Sequence, residues 1–362
     1  SHCALSIMGE GKVHNPAGEI VDSLVAMKAA GIKPVELEEK EGLALINGTD
    51  GMLGMLIMAV TDLEELSKVA DITAAMSIEG LLGTDKVFAP ELHFPLRPQV
   101  GQAVSAANIF GMLKNSAIVA SHINDTSQVQ DAYSLRCAPQ VAGAVRDTIS
   151  YAKTIAQREL ESSIDNPVVL PDGRVQSNGN FHGAPVAYVL DFLAIAATDL
   201  GSIAERRTDR ALDRARSHGL PPFLAEDPGV DSGLMIAQYT QAGLVSENKR
   251  LASPASVDSI PSSAMQEDHV SMGWSAARKL RKVVDNLSRI LAIELVTAAR
   301  AIELRTGLKP APATESVIKE LRKSVPGPGA DRFISPELEA ADLLVKSGAV
   351  SAVAQKVFTE LS

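Results

Sequence analysis

Residues 273–305 constrain the fold more than any other stretch of this 362-residue sequence. Ala277, Leu280, Val284, Leu287, Leu291, Leu295, Ala298 and Ile302 recur every three or four positions, which is the period of a helix with one apolar stripe. At about 1.5 Å per residue the rod runs roughly 45–50 Å, too long for a small globule and suited to a bundle core. Aromatics make up only 4% of a chain that is 46% hydrophobic and rich in Ala, Leu, Ile and Val. Such side chains favour helix-on-helix packing with close approaches over a β-sandwich. Length alone suggests two or three domains, yet no long low-complexity linker divides the chain, so one extended, mainly α, long-helix bundle is expected. The formal charge of −10 argues against a general nucleic-acid binder, which needs a basic face.

Taken in order, Asn15-Pro16 followed by Ile20, Leu24 and Met27 predicts a capped helix closed by Gly31. Leu43-Ala44-Leu45-Ile46 delivers Asn47 into a Gly-flanked turn where a backbone could approach a ligand closely. Gly48, Gly51 and Gly54 do not follow the dinucleotide pattern. Thr61-Asp62-Leu63-Glu64 reads as a capping box opening a helix, and a further apolar helix is expected over 102–121. Val141, Val145, Ile149, Ala152, Ala156 and Leu160 mark a long amphipathic helix. A small β-hairpin is expected near 167–176, around Pro171-Asp172-Gly173. It leads into a loop presenting Phe181 and His182 between glycines, then a helix through Val186, Val189, Leu193, Ala197 and Leu200. The charge run Glu205 to Arg210 reads as a solvated helix end, and 217–230 as loop. Met265 to Met272 is expected to open the long rod, placing Glu267, Asp268 and His269 where the helix dipole favours anions. Ser335-Pro336-Glu337-Leu338 caps a last helical region.

Chemistry concentrates in Val129-Gln130-Asp131-Ala132-Tyr133-Ser134-Leu135-Arg136. Gln130, Tyr133 and Arg136 stand three apart, a spacing that shares one face of a helical turn and lets all three reach one cavity. A guanidinium, a phenol and an amide suit an amino-acid-like ligand, with the guanidinium gripping its carboxylate. The plainer alternative is a packed ring beside a structural ion pair, as a Tyr and an Arg near a helix end more often are. A lone loop His such as His182 is usually structural or solvated. The seven His lie far apart with no helical pair, so no metal site is expected. No nucleophile elbow supports a hydrolase. Cys3 and Cys137 show no pairing pattern, which fits a reducing compartment. The longest apolar run, Met52 to Val60, is far short of the roughly 20 residues that span a bilayer, so no membrane partner is expected.

Four motifs occur in order: Glu41-Gly42-Leu43-Ala44-Leu45-Ile46-Asn47-Gly48-Thr49, then Gln130-Asp131-Ala132-Tyr133-Ser134-Leu135-Arg136-Cys137, then Gly179-Asn180-Phe181-His182-Gly183, then Gln266-Glu267-Asp268-His269-Val270-Ser271-Met272. Together they closely resemble the histidine branch of the aromatic amino acid lyases, in its actinobacterial form, from residue 1 to about 305. The resemblance implies a long-helix bundle related to the fumarase and aspartase folds. It also implies a cytoplasmic homotetramer whose sites combine three subunits, and the deamination of L-histidine to trans-urocanate and ammonia, the first step of histidine degradation. Residues 1–305 would form the bundle and active-site portion, and 306–362 a C-terminal helical region. The family's electrophile, methylidene-imidazolone (MIO), forms from an internal Ala-Ser-Gly, a tripeptide that these residues do not contain. The chain is therefore expected to be the C-terminal portion, partnered by an N-terminal fragment that carries the MIO.

Carried over by resemblance, Arg136 grips the substrate carboxylate while Tyr133 and Gln130 orient the pocket. Asn47 bonds near the MIO and amine, Phe181 packs at the MIO, and Glu267 contacts the imidazole or takes part in proton transfer. Phenylalanine and tyrosine lyases typically carry Asn-Gln where Gln266-Glu267 stands. A buried carboxylate accepts from an imidazole N–H and is left unpaired by a phenyl ring. Rival expectations are a tyrosine or phenylalanine lyase, an aminomutase, or an inert structural fragment lacking the electrophile.

Overall fold

The computed structural model describes residues 1–125 and 129–362. A short helix α1 (His2–Ile7) precedes an antiparallel hairpin of β1 (Lys12–His14) and β2 (Ile20–Asp22), and α2 (Ser23–Ala29) follows. The helix expected from Asn15-Pro16 therefore begins only at Ser23. Asn15 shapes a turn instead: its side-chain oxygen accepts from the Glu19 amide at 2.9 Å, and Gly18 supplies a φ of +82°.

After α3 (Glu41–Ala44) comes α4 (Asp50–Gly80), 31 residues without a break. The expected capping box at Thr61 is interior to it, and the Thr61 hydroxyl donates back to the Ile57 carbonyl at 3.0 Å. Cap-type residues start a helix only where the preceding segment is not already helical, and Met52 to Val60 is. The apolar stretch 102–121 divides into α5 (Val100–Met112) and α6 (Ala117–Ala120), because Asn115 turns left-handed at φ +65°. The Ser116 hydroxyl then accepts from the Val119 amide, capping α6.

The next elements are α7 (Tyr133–Arg136), α8 (Ala138–Leu160), the expected hairpin of β3 (Val168–Val169) and β4 (Val175–Gln176), and α9 (Ala184–Leu212). The chain closes with α10 (Met235–Leu251), α11 (Gly273–Glu303), α12 (Pro312–Leu321), α13 (Ser335–Lys346) and α14 (Ala349–Val357). The long rod thus opens at Gly273. Residues 266–272 are a loop ahead of it, so Glu267, Asp268 and His269 do not occupy its first turn.

Helices α4, α9 and α11 run parallel. At their starts, a Cβ on Gly183 would lie 2.7 Å from Met52 Sδ and one on Gly273 2.5 Å from it, while the Trp274 ring lies against Gly51. At the other end a Cβ on Gly80 would lie 2.9 Å from that of Ala301. Helix α8 descends, its Glu159 accepting from the Thr49 hydroxyl at 2.6 Å. Helix α10 also descends, Gln241 donating to the Ile290 carbonyl and Asn248 to that of Val283. One contiguous apolar core joins these helices to α12, α13 and α14 through Val317, Leu321, Val345 and Val350. By length and composition α9 could cross a membrane; here most of its apolar residues are buried against the other helices.

The charge run at 205–210 is not a solvated end. Glu205, Arg207 and Thr208 are buried, and Arg207 forms a bidentate ion pair with Glu294 on α11. Glu294 on α11, Gln238 on α10 and the Ser134 carbonyl on α7 meet these last turns of α9, which no local pattern of charges reveals.

Candidate active site

The three parallel helices bring their N-termini together, and each is entered by a loop carrying one of the expected site residues. Asn47, half-buried, stands three residues before α4. Phe181 and His182 lie in the loop before α9, and Glu267 to His269 in the loop before α11. The last two loops are braced on each other. His182 Nε2 is 3.2 Å from the His269 carbonyl, and the two imidazoles stack with centroids 5.7 Å apart, tilted by only 2°. Glu267 is anchored within its own loop, its carboxylate accepting from the Ser262 hydroxyl at 2.7 Å and its carbonyl from the Ser262 amide at 3.0 Å. Lys40 ties the segment before α3 to the β-hairpin segment through Asp165 at 2.8 Å, which holds that carboxylate below its usual range by hydrogen bonding. Each helix N-terminus carries about half a positive charge on unpaired amides. Their convergence favours a group that gains electron density during reaction.

Gln130, Tyr133 and Arg136 lie elsewhere. The Asp131 carboxylate accepts from the Thr84 amide at 2.8 Å, just beyond the C-terminus of α4. That places this segment some 45 Å from Asn47, the length of a 31-residue helix. Within the segment only Tyr133 to Arg136 is helical, so Gln130 does not share a helical face with them as the spacing suggested. It lines a cavity of about 240 Å³ with Leu82, Thr84, His122, Asp131 and His218. Burial and the Arg305 charge lower the pKa of His218. Arg305 donates to the carbonyls of Gly80, Ser217 and His218, and burial brings its pKa down to about 10, so it stays charged at neutral pH and caps α4. Arg136 donates through Nε to the Asp131 carbonyl at 3.0 Å and lies 4.5 Å over the Tyr133 ring. Its two terminal nitrogens form the edge of the fork that suits a carboxylate. Tyr133 is 70% exposed. Hence one chain brings Asn47, Phe181 and Glu267 to one end of the bundle and Gln130, Tyr133 and Arg136 to the other.

A family model for aromatic amino acid lyases matches residues 1–323. The chain belongs to the aromatic amino acid lyase family. It is 68% identical over 358 residues to the histidine ammonia-lyase of Streptomyces avermitilis, covering 99% of this chain and 70% of that protein. Among solved structures it resembles histidine ammonia-lyase from Trypanosoma cruzi, with a TM-score of 0.90, 40% identity, and coverage of 98% of this chain and 67% of that one. It also resembles tyrosine aminomutase from Streptomyces globisporus, with a TM-score of 0.91, 37% identity, and coverage of 98% and 71%. The fold is thus the mainly helical fold of this family, and the protein is an ammonia-lyase by family.

The lower end of the bundle fits the family's electrophile. Asn47 offers an amide donor and acceptor, and the Phe181 ring offers a flat apolar wall. Gly183 and Gly273 let the backbones close on Met52, while Leu43, Leu45, Ile46 and Met265 expose apolar surface on the flanking loops. A small neutral heterocycle suits those surroundings.

Proposed function

We propose that the protein deaminates L-histidine non-oxidatively to trans-urocanate and ammonia. The observation that carries this reading is the fixed carboxylate of Glu267, on a loop braced against the Phe181 loop where three helix N-termini converge. A carboxylate there accepts from an imidazole N–H, and a phenyl or phenol ring leaves it without that donor. The kinship with named histidine ammonia-lyases supports it. Tyrosine aminomutase shares the fold at lower identity, which keeps an aminomutase or a tyrosine or phenylalanine lyase as the second reading.

In this reading Arg136 holds the substrate carboxylate through its terminal nitrogens, and its stacking on Tyr133 fixes the plane of the fork. Gln130 and Tyr133 orient the same pocket. Asn47 hydrogen-bonds the α-amine, Phe181 walls the electrophile's side, and Glu267 fixes the ring. When bound, the MIO group supplies the electrophile that turns the amine into a leaving group. Its Ala-Ser-Gly precursor lies outside these 362 residues, on an N-terminal segment of the same enzyme. In support, the tripeptide does not occur in the sequence, and the chain spans 70% of its S. avermitilis relative. The base that removes the β-proton is assigned to no residue of this chain.

The two half-sites, about 45 Å apart in one chain, meet when copies assemble. A homotetramer in the cytoplasm is our reading. Tyr151 on α8 with Tyr188, Phe192 and Ile195 on α9 gives it an exposed apolar strip along the bundle. The test is incubation of the purified protein, with and without the N-terminal segment, with L-histidine, L-tyrosine and L-phenylalanine, following ultraviolet absorbance and ammonia. Intact mass would show whether a dehydrated Ala-Ser-Gly segment accompanies the chain. Urocanate only in the presence of that segment is the expected result. Turnover of tyrosine or phenylalanine in preference to histidine overturns the substrate, and no turnover of any of them leaves an inert structural chain.

A further inference from the structure

We propose that Arg207 is a positioning residue, which sets the geometry of the Tyr133–Arg136 turn from inside the bundle core; the proposal rests on Arg136 being the carboxylate clamp. Arg207 is 1% exposed and Glu294 fully buried. Glu294 Oε1 accepts from Arg207 Nε at 2.5 Å and from the Ser77 hydroxyl at 2.8 Å. Its Oε2 accepts from Arg207 Nη2 at 3.0 Å and from the Thr73 hydroxyl at 2.8 Å. Each carboxylate oxygen therefore has two donors, contributed by α4 and α9. The remaining fork nitrogen, Arg207 Nη1, donates at 3.3 Å to the carbonyl of Ser134.

A buried ion pair is a weak source of stability, since well-packed apolar residues of similar volume often serve as well or better. An apolar pair could not donate a hydrogen bond to a neighbouring carbonyl, and here that carbonyl belongs to α7. Helix α7 is a single turn, held internally by the Leu135 and Arg136 amides on the Ala132 carbonyl and the Cys137 amide on that of Tyr133. So short a helix does not persist alone. Asp131 ties one side of it, through its carboxylate to the Thr84 amide and its carbonyl to Arg136 Nε. Arg207 ties the other side, between the two residues assigned to the substrate.

The decisive comparison is Arg207→Lys, whose ammonium can still pair with Glu294 but lacks the planar fork that serves two acceptors. Hydrogen exchange at the 134–137 amides should quicken by about 3- to 10-fold, the worth of one hydrogen bond, with α4 and α11 unchanged. In the complete enzyme carrying its electrophile, KM for L-histidine should rise by a similar factor and kcat change less. In an Arg136→Ala background, Arg207→Lys should cause no further loss of kcat/KM, because the residue acts through the clamp. An equal loss with and without Arg136, or unaltered exchange at 134–137, overturns the proposal. Should Arg207→Lys not fold, Arg207→Met with Glu294→Leu carries the same comparisons. If the wild type leaves histidine untouched, the substrate reading fails by itself, and the exchange comparison still decides what Arg207 holds.

Discussion

Helices α5 and α8 cross at two glycines, and substitution there should be destabilising although alanine is the better helix former. A Cβ on Gly143 would lie 2.2 Å from the Gln102 nitrogen and 2.4 Å from its Cα. A Cβ on Gly101 would lie 2.2 Å from the Gly143 carbonyl oxygen. Ordinary contacts between such atoms are about 3.5–4.0 Å. Gly143→Ala therefore has to part the helices by more than an ångström, and no rotamer relieves it because the opposing atoms are backbone. Overpacking of this kind costs about 1–3 kcal/mol, and rigid opponents put Gly143 at the upper end. Exchanging Gly for Ala inside a helix returns about 1 kcal/mol. The net expectation is a loss of about 2 kcal/mol. Gly243, exposed within α10, is the counterpart, because nothing lies within 4 Å of its added Cβ. Gly243→Ala should gain about 0.5–1 kcal/mol. The assay is urea unfolding followed by far-ultraviolet circular dichroism at fixed protein concentration, comparing midpoints at equal slope. A Gly143→Ala protein as stable as the wild type would refute the close crossing, and a fall in Gly243→Ala would show that propensity arguments fail here.

Three further outcomes are expected. Arg136→Ala should lower kcat/KM for L-histidine by about 100- to 1,000-fold in the complete enzyme, the 3–4 kcal/mol typical of a truncated charge-assisted pair; near-normal kinetics would remove the clamp. Glu267→Gln should narrow the preference for histidine over phenylalanine, read as the ratio of urocanate to cinnamate formation, and an unaltered ratio would place the ring elsewhere. Burial raises the pKa of Glu79 above its ordinary 4.5, against the donors Ser116, Thr314 and the Ala311 amide, which lower it. The folded state then holds the proton more tightly than the unfolded one, so this group's contribution is largest at low pH and is lost as pH rises from 4.5 through the folded pKa. The stability of wild type relative to Glu79→Gln should accordingly increase on acidification from neutral pH towards 4.5, and a gap that shrinks or stays flat over that whole range would contradict the sign.

The sequence made legible those parts whose cause is local. The three-four spacing from Ala277 to Ile302 needs no partner to be read, and α11 follows it. Pro171-Asp172-Gly173 likewise carries its own turn chemistry, and the hairpin forms there. Helix α10 shows no apolar stripe in the sequence because its buried face includes Gln241 and Asn248, whose amides bond to carbonyls of α11. The setting of Arg207 is hidden for a related reason: it stands in a run of charges in sequence, whereas its partners in space, the Glu294 carboxylate and the Ser134 carbonyl, lie more than 70 positions away along the chain. The motif residues were legible one by one. That Arg136 and Asn47 stand at opposite ends of α4 was not, since spacing within a motif says nothing about distance between motifs.

That separation has a genetic corollary under the proposed assembly. Two inactive proteins, one altered at Arg136 and the other at Glu267, carry their damage in different halves of the pocket. Expressed in the same cell and allowed to mix, they would rebuild a minority of intact pockets from one undamaged half of each, and crosses between dead alleles would yield living offspring activity.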